Sequence, residues 1–424
     1  MVQSIRHFLP LARSWAAYAV LPAAGLITAP ILAHALGPEG RGQLAGMLQP
    51  LVLASAIAAL GVPSAVTFFI GRGVQAGRVS EIAVRISALL TLFVAVGLFF
   101  YSYTVAQQIG VDRNLMLLVW LAFLPSAFIS ISRARLQGIR RYGVLDLERV
   151  LASVLRVGLI AILWAGAVSN VFIYSAVYMA SGLIASSVLL FSTQVRAKSV
   201  AHSREVELPA SEMARYALFA SFGTVATAVS ARLDQAIMPA AVSPIELGYF
   251  SVAVAVAEVA NIITTVAIRN VLAEVSSKVS LRSILRSVLI GGACQFVLIL
   301  IILSIIPLAV PILFGSDFSP ASDLIRVLLI GSFVAYWSNV TFAFLSGLGR
   351  PGLSSIGPAS GVASTIFLFW FFWNDLTANI AAWISVVSQS TMFIAGMFLT
   401  GWVLAMRRDL WEDDCSSTKN RARK

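Results

Sequence analysis

Arg156, Arg232, Asp234 and Glu258 stand inside apolar stretches long enough to cross a bilayer. An ionisable side chain there is costly unless protein or water solvates it, so these residues are the first candidates for chemistry. Asp146, Arg149, Ser153 and Arg156 follow at spacings of three, four and three, which puts them on one helix face. An Asp146–Arg149 ion pair with snorkelling arginines would explain Arg149. Arg156 lies deeper and reads as lining a polar cavity. A second stripe runs through Ser251, Glu258, Asn261, Thr265 and Arg269. Glu258 sits about halfway through its span, where it would need an arginine from the opposite lobe, cavity water, or a coupling proton or cation. Arg232 and Asp234, two apart, point about 160° away from each other, so at least one must find its partner on a different helix or in water. Arg85 lies close to a span end, where a snorkelling topology signal competes with a binding role.

The chemistry open to such a set is the handling of charge. Guanidinium groups suit phosphate through forked hydrogen bonds; Glu258, Asp234 and Asn261 could couple a cation or line a polar path. Catalysis finds little to use. His7, His34 and His202 are scattered, Cys294 and Cys415 have neither bridging nor zinc spacing, and no Gly-rich phosphate loop, nucleophile elbow or paired-carboxylate pattern occurs. The expectation is a protein without enzymatic activity, cofactor or metal.

The elements that must position these residues are membrane spans. Of 424 residues, 59% are hydrophobic and only 12% charged, and mean hydropathy is +0.89; one soluble domain could not hide that much apolar surface. A bilayer core needs roughly 20 apolar helical residues. Twelve stretches meet that need, at about 14–36, 43–70, 82–105, 114–138, 144–169 and 171–195, then 213–241, 246–275, 281–306, 321–345, 352–373 and 379–406. The first is too long for a signal-peptide core and reads as a retained helix. With the N-terminus inside, 25 of the 30 Lys and Arg fall on the cytoplasmic side. Only Arg41, Arg113 and Arg326 fall outside, leaving Arg156 and Arg232 within spans. That asymmetry follows the positive-inside rule and explains the net charge of +11 without nucleic acid. Both termini are expected in the cytoplasm. Prolines 22, 30, 50, 63, 125 and 239 mark possible bends, and the aromatic Phe367–Trp373 run and Tyr336–Trp337 read as lipid-facing bulk and interface anchors.

The longest polar stretch, 196–212, divides the chain into two six-helix lobes, 1–195 and 213–406, followed by a tail, 407–424. The lobes echo one another. Pro38 and Gly42 recur as Pro244 and Gly248, offset by 206, and Gly138 recurs as Gly347. These read as tight turns in corresponding places of a parallel duplication. The fold class is therefore all-α: a polytopic membrane protein of two parallel six-helix lobes around a central cavity.

Six segments in order, ALGPEGRGQLA, LGVPSAV, ARLDQ, SPIELGYFSVAVAVAE, PILFGSDFSPAS and FLSGLGRPG, resemble the polysaccharide flippases of the multidrug/oligosaccharidyl-lipid/polysaccharide exporter superfamily. The likeness spans about residues 14–400, although twelve spans are fewer than lipid II flippases carry. It implies alternating-access export of undecaprenyl-(pyro)phosphate-linked oligosaccharide across the bacterial inner membrane for surface polysaccharide. Membrane lipids, a glycan polymerase and glycosyltransferases are then the expected partners, with Arg156, Arg232, Arg149 and Arg85 as substrate-binding candidates. A multidrug antiporter of the same superfamily, relying on Glu258 and Asp234, is the alternative, as is a non-transporting partner of glycan polymerisation.

Overall fold

A computed structural model describes residues 2–194, 209–277 and 280–406; most of the 196–212 stretch, the 407–424 tail, His202 and Cys415 lie outside the described residues. The described chain is all helix, with short 3-10 turns and no strand. The first half holds α1 (Val2–Ala59), α2 (Val62–Gly71), α3 (Ala76–Ile109), α4 (Arg113–Trp120), α5 (Ser126–Gly138), α6 (Tyr142–Ala165) and α7 (Val171–Gln194). The second holds α8 (Ala210–Ile237), α9 (Pro244–Ser276), α10 (Leu281–Phe314), α11 (Ala321–Gly347), α12 (Pro351–Ser354), α13 (Ile356–Phe371) and α14 (Ala378–Met406).

Among the described residues, nine helical segments are long and apolar enough to cross a membrane. The helices α6 and α8 fall outside that set although their length suffices. They carry Asp146, Glu148, Arg149 and Arg156, and Glu212, Arg215, Arg232 and Asp234, respectively. These two helices are the ones that supply Arg156 and Arg232. Their cost in a bilayer must be met by the neighbours they pack against.

The expected boundaries hold at most turns and fail at two, while 114–138 remains one membrane-length segment bent at Pro125. The first two stretches form one helical run, α1, interrupted only at Gly37, whose φ of 65° is left-handed and suits glycine. Helix resumes at once, so Arg41 lies within α1 and not in an external loop. The stretch 43–70 is broken at Leu60 and Gly61, both at positive φ, with Pro63 opening α2. Pro125 separates α4 from α5 after a 3-10 turn. By contrast, Pro22, Pro30 and Pro50 sit within α1 without breaking it, since packed neighbours can take up the freed carbonyls.

Consecutive helices run to and fro between two ends of the bundle, one marked by Gly37, the other by the Gly138–Tyr142 turn. The repeated turns meet at the Gly37 end. A side chain on Gly42 would collide with the Pro244 carbonyl oxygen, and one on Gly248 with the Pro38 carbonyl oxygen. Without hydrophobic drive between helices in lipid, such glycine-to-backbone approach is what allows dense packing. The second echo is equivalent in the same sense: Gly138 faces Ile70, and Gly347 faces Val275. The halves are further tied by Tyr101, whose hydroxyl donates to the Ala236 carbonyl at 2.6 Å, and by Phe68 stacked on Tyr216 at 4.3 Å.

The aromatic expectations divide. Phe367, Trp370, Phe371 and Trp373 are exposed on the helix surface as lipid-facing bulk requires, although Phe369 turns inward. Tyr336 corrects the other expectation. It is fully buried, donates to the Val288 carbonyl at 2.7 Å and fills the space left by Gly291, while Trp337 lies against Gly292. The glycines on α10 create room for the rings, so Tyr336 is no interface anchor.

Candidate functional site

The α6 stripe folds inward. Asp146 and Ser153 are buried, Arg149 reaches Asp146 at 3.4 Å, and Ser153 Oγ donates to the Arg149 carbonyl. The lower part of the face is therefore satisfied structurally. Arg156, two turns above Arg149, is different. Its Nη1 donates to the Tyr178 hydroxyl at 3.1 Å, and its guanidinium carbon lies 4.0 Å from that ring's centroid. Its Nε is buried with no hydrogen-bond partner among the described residues.

On α8, the 160° separation of Arg232 and Asp234 is resolved by two different neighbours. Arg232 reaches Glu258 of α9 at 2.9 Å; the side chains are 36% and 48% exposed, so the pair is accessible from one side. It also approaches Gln235 Oε1 at 3.3 Å. Asp234 accepts from Ser385 Oγ of α14 at 2.6 Å and from the Gln235 amide at 2.8 Å. Asp234 thus joins α8 to α14, while Arg232 and Glu258 join α8 to α9. Glu258 has its arginine, but from the adjacent helix of the same half; the expected interlobe pair is corrected.

Asn261, one turn beyond Glu258, leaves its Oδ1 buried without a partner among the described residues. Arg85 is not brought to this group. It is 76% exposed and paired with Glu81 at 2.6 Å, one turn back on α3, as a snorkelling cation at a span end would be. Among the described residues no His, Cys, Asp and Glu group could hold a metal ion.

Two features were missed. Glu148, 2% exposed, takes a forked pair of contacts from Arg133, at 2.5 and 3.2 Å, and a hydrogen bond from Ser186; this buried knot clamps α5, α6 and α7. A second acid on an already charged helix was its only sequence signal. Arg41 carries a buried Nε with no hydrogen-bond partner among the described residues. Its position beside a glycine-proline break had suggested a loop. An apolar recess of about 760 Å³ also opens between the halves, walled by Pro50, Phe93, Tyr101, Ile237 and Trp370. Neither Arg156 nor the Arg232–Glu258 pair lies on its wall.

Apolar helices threaded by a few charges make an all-helical bundle of the multi-pass membrane class. The backbone agrees with solved transporters. The lipid II flippase MurJ in an inward closed conformation superposes with a TM-score of 0.69 at 12% identity, covering 91% of this chain and 86% of that one. An inward-facing multidrug resistance MATE family transporter of the MOP superfamily gives 0.66 at 16% identity, covering 92% and 96%. A MOP superfamily transporter from Pyrococcus furiosus, described as having a binding pocket of reverse polarity, gives 0.51 at 14% identity, covering 93% and 96%. No curated protein matches the sequence. Residues 14–280 match the family described as polysaccharide biosynthesis protein, and the chain belongs to that family.

Proposed function

We propose that this protein flips an undecaprenyl-(pyro)phosphate-linked oligosaccharide from the cytoplasmic to the outer leaflet of the bacterial inner membrane by alternating access, supplying surface polysaccharide synthesis. Family membership supports the glycan context. The observation that carries the anionic substrate is Arg156, a guanidinium inside a membrane helix that pairs with a phenol instead of a carboxylate. An anion that arrives there completes a charge balance the protein leaves open. The carboxylates needed by a multidrug antiporter are both engaged, Glu258 by Arg232 and Asp234 by Ser385, which favours the flippase reading. The lobes are 1–195 and 213–406, joined by 196–212, and the reciprocal Gly42 and Gly248 contacts support a duplicated origin. A polymerase and glycosyltransferases would act before and after this step.

The test is a leaflet-resolved assay of labelled lipid-linked sugar in vesicles holding the purified protein. Arg156→Ala is expected to lower flux at least about tenfold, the loss of one charge-assisted hydrogen bond, with Arg156→Lys recovering only part because it lacks the fork. Flux equal to wild type in Arg156→Ala would reject the anionic site.

The orientation has its own test. In a background lacking Cys294 and Cys415, cysteines at the exposed Glu39 and Asn374 should react with an impermeant thiol reagent applied to intact cells, and one at the exposed Ser277 should not. Labelling of Ser277→Cys from outside would invert the assignment of the Gly37 end to the exterior.

A further inference from the structure

We propose that Arg113 and the groove beside it, between α3 and α4, hold one anionic phospholipid of the leaflet at the Gly37 end. The lipid phosphate rests on the guanidinium and one acyl chain fills the groove. None of these residues belongs to the set proposed for substrate, so the site stands whether or not the protein flips a glycan lipid.

The turn between α3 and α4 lies at the Gly37 end, where Gln43 donates to the Ile109 carbonyl at 3.2 Å. Arg113 opens α4 there, on the side that the positive-inside rule leaves poor in cations. Its neighbour Asp112 is engaged in capping α4, accepting from the Leu115 amide at 2.9 Å. Arg113 forms no ion pair among the described residues, whereas Arg326 at the same end meets Asp323 at 2.6 Å. The guanidinium is nevertheless fixed. Its Nε donates to Ser102 Oγ at 3.0 Å and its Nη2 to the Phe99 carbonyl at 3.2 Å. Its carbon lies 4.8 Å from the Phe99 ring centroid and 5.8 Å from that of Tyr103. Nη1 and the second Nη2 proton remain to take an oxyanion in a fork.

Beside this cation runs an apolar groove of about 390 Å³, walled by Ala95 and Phe99 of α3, Asn114 and Leu118 of α4, and Leu121 and Leu124 beyond it. Local structure makes the space. Ala95 is small, α4 gives way to a 3-10 turn at Leu121–Phe123 before Pro125, and Trp120 turns inward to donate to the Met47 carbonyl at 2.8 Å. Leu118, Leu121 and Leu124 are exposed on the helix surface, so the groove opens to the bilayer. From Asn114 to Leu124 it follows the chain for about 15 Å at 1.5 Å per residue. That is the hydrocarbon depth of one leaflet in a core about 30 Å thick. Phe99 joins the two parts, holding the cation and forming the groove wall. A fixed cation at the mouth of a slot one leaflet deep matches a lipid with a negative head group. A neutral lipid leaves the fork unmet, and a soluble anion leaves the slot empty of chain.

The test uses the full-length protein in phosphatidylcholine vesicles carrying a trace of photoreactive lipid, either phosphatidylglycerol or phosphatidylcholine with a diazirine on one acyl chain. Crosslinking to residues 114–124 is compared with that to Leu308 and Ile312, which are exposed on α10 and report unselective contact with the bilayer. Phosphatidylglycerol should label 114–124 about tenfold more than phosphatidylcholine does, the value of one hydrogen bond to a charged group. Arg113→Gln should bring the two lipids level, and Arg113→Lys should keep part of the preference because it keeps the charge. Ala95→Trp, which fills the groove and leaves Arg113 in place, should lower labelling by both lipids to that of Leu308 and Ile312; unchanged labelling at those two positions shows that each variant is folded. Arg326→Gln should change nothing. Equal labelling by the two lipids in the wild type, a preference that survives Arg113→Gln, or full labelling in Ala95→Trp would overturn the site. Displacement of the probe by undecaprenyl diphosphate at a lower concentration than by unlabelled phosphatidylglycerol would overturn the assignment to a bilayer phospholipid.

Discussion

Gly248→Val is expected to abolish transport while the protein remains folded in the membrane. A Cβ at Gly248 has no room, because the Pro38 carbonyl oxygen and the Gly42 amide occupy that volume. These atoms belong to backbone, which cannot swing aside as a flexible side chain would. Overpacking of this kind costs roughly 1–3 kcal/mol, and the cost falls only on the arrangement in which the Gly37 ends of the two halves touch. It would shift the population away from that arrangement by about tenfold to a hundredfold. A cysteine at Ala45, buried one turn below Gly42, reports the change: an impermeant reagent should reach it at least about tenfold faster in Gly248→Val. Gly42→Val should behave alike, since its Cβ would strike the Pro244 carbonyl oxygen. Gly158→Val, where nothing lies within 4 Å, is the control and should transport normally. Normal flux in Gly248→Val, with unchanged reactivity at Ala45→Cys, would show that closure of this end is no part of the cycle.

The second large effect is expected at the Arg232–Glu258 pair. Arg232→Ala leaves Glu258 without its cation inside the membrane and adds a net negative charge on the path proposed for an anionic head group. Both consequences oppose transport, and breaking a charge pair commonly costs more than the pair contributed. Flux should fall at least about tenfold. Adding Glu258→Gln to the same chain removes the stranded charge, so the double variant should transport better than Arg232→Ala alone. Glu258→Gln by itself frees Arg232 to hold the anion, and should lower KM and kcat together as release slows. These are measured as initial flux against substrate concentration in vesicles with the electrical potential clamped. Losses that simply multiply in the double variant would mean that the two residues act separately, and Glu258 would regain a coupling role of its own. The structural reason to expect otherwise is the 2.9 Å contact and its half-open surroundings.

How much of this was legible beforehand depends on the kind of information each feature carries. Hydropathy is additive along the chain, so the apolar stretches, and with them the all-helical membrane architecture, could be marked from residues 14 to 406 by composition alone. Charge asymmetry is likewise a sum over segments. Local periodicity gave the faces: it placed Asp146, Arg149, Ser153 and Arg156 together on α6, and the structure finds Asp146 and Ser153 buried and Arg149 and Arg156 bonded inward. The offset of 206 between Pro38 and Pro244 gave correspondence between the turns.

Contact between helices is a different quantity, because it depends on how distant segments settle against each other. The 160° divergence of Arg232 and Asp234 required separate partners, yet only the packed bundle chose Glu258 for one and Ser385 for the other. The Gly291–Gly292 pair could as well have served a bend; packing decided that it receives the Tyr336 and Trp337 rings. Arg41 shows the limit most directly. Whether a left-handed Gly37 opens a loop or is passed through with helix on both sides is settled by the Pro244 and Gly248 backbone against which the next turn rests. The sequence by itself determined that the chain is an all-helical membrane protein and which faces of its helices are polar, since both follow from solvation of individual side chains. The tertiary structure alone decided which charges neutralise one another and which, like Arg41 and Arg156, meet no carboxylate among the described residues, since that follows from distances no linear pattern contains.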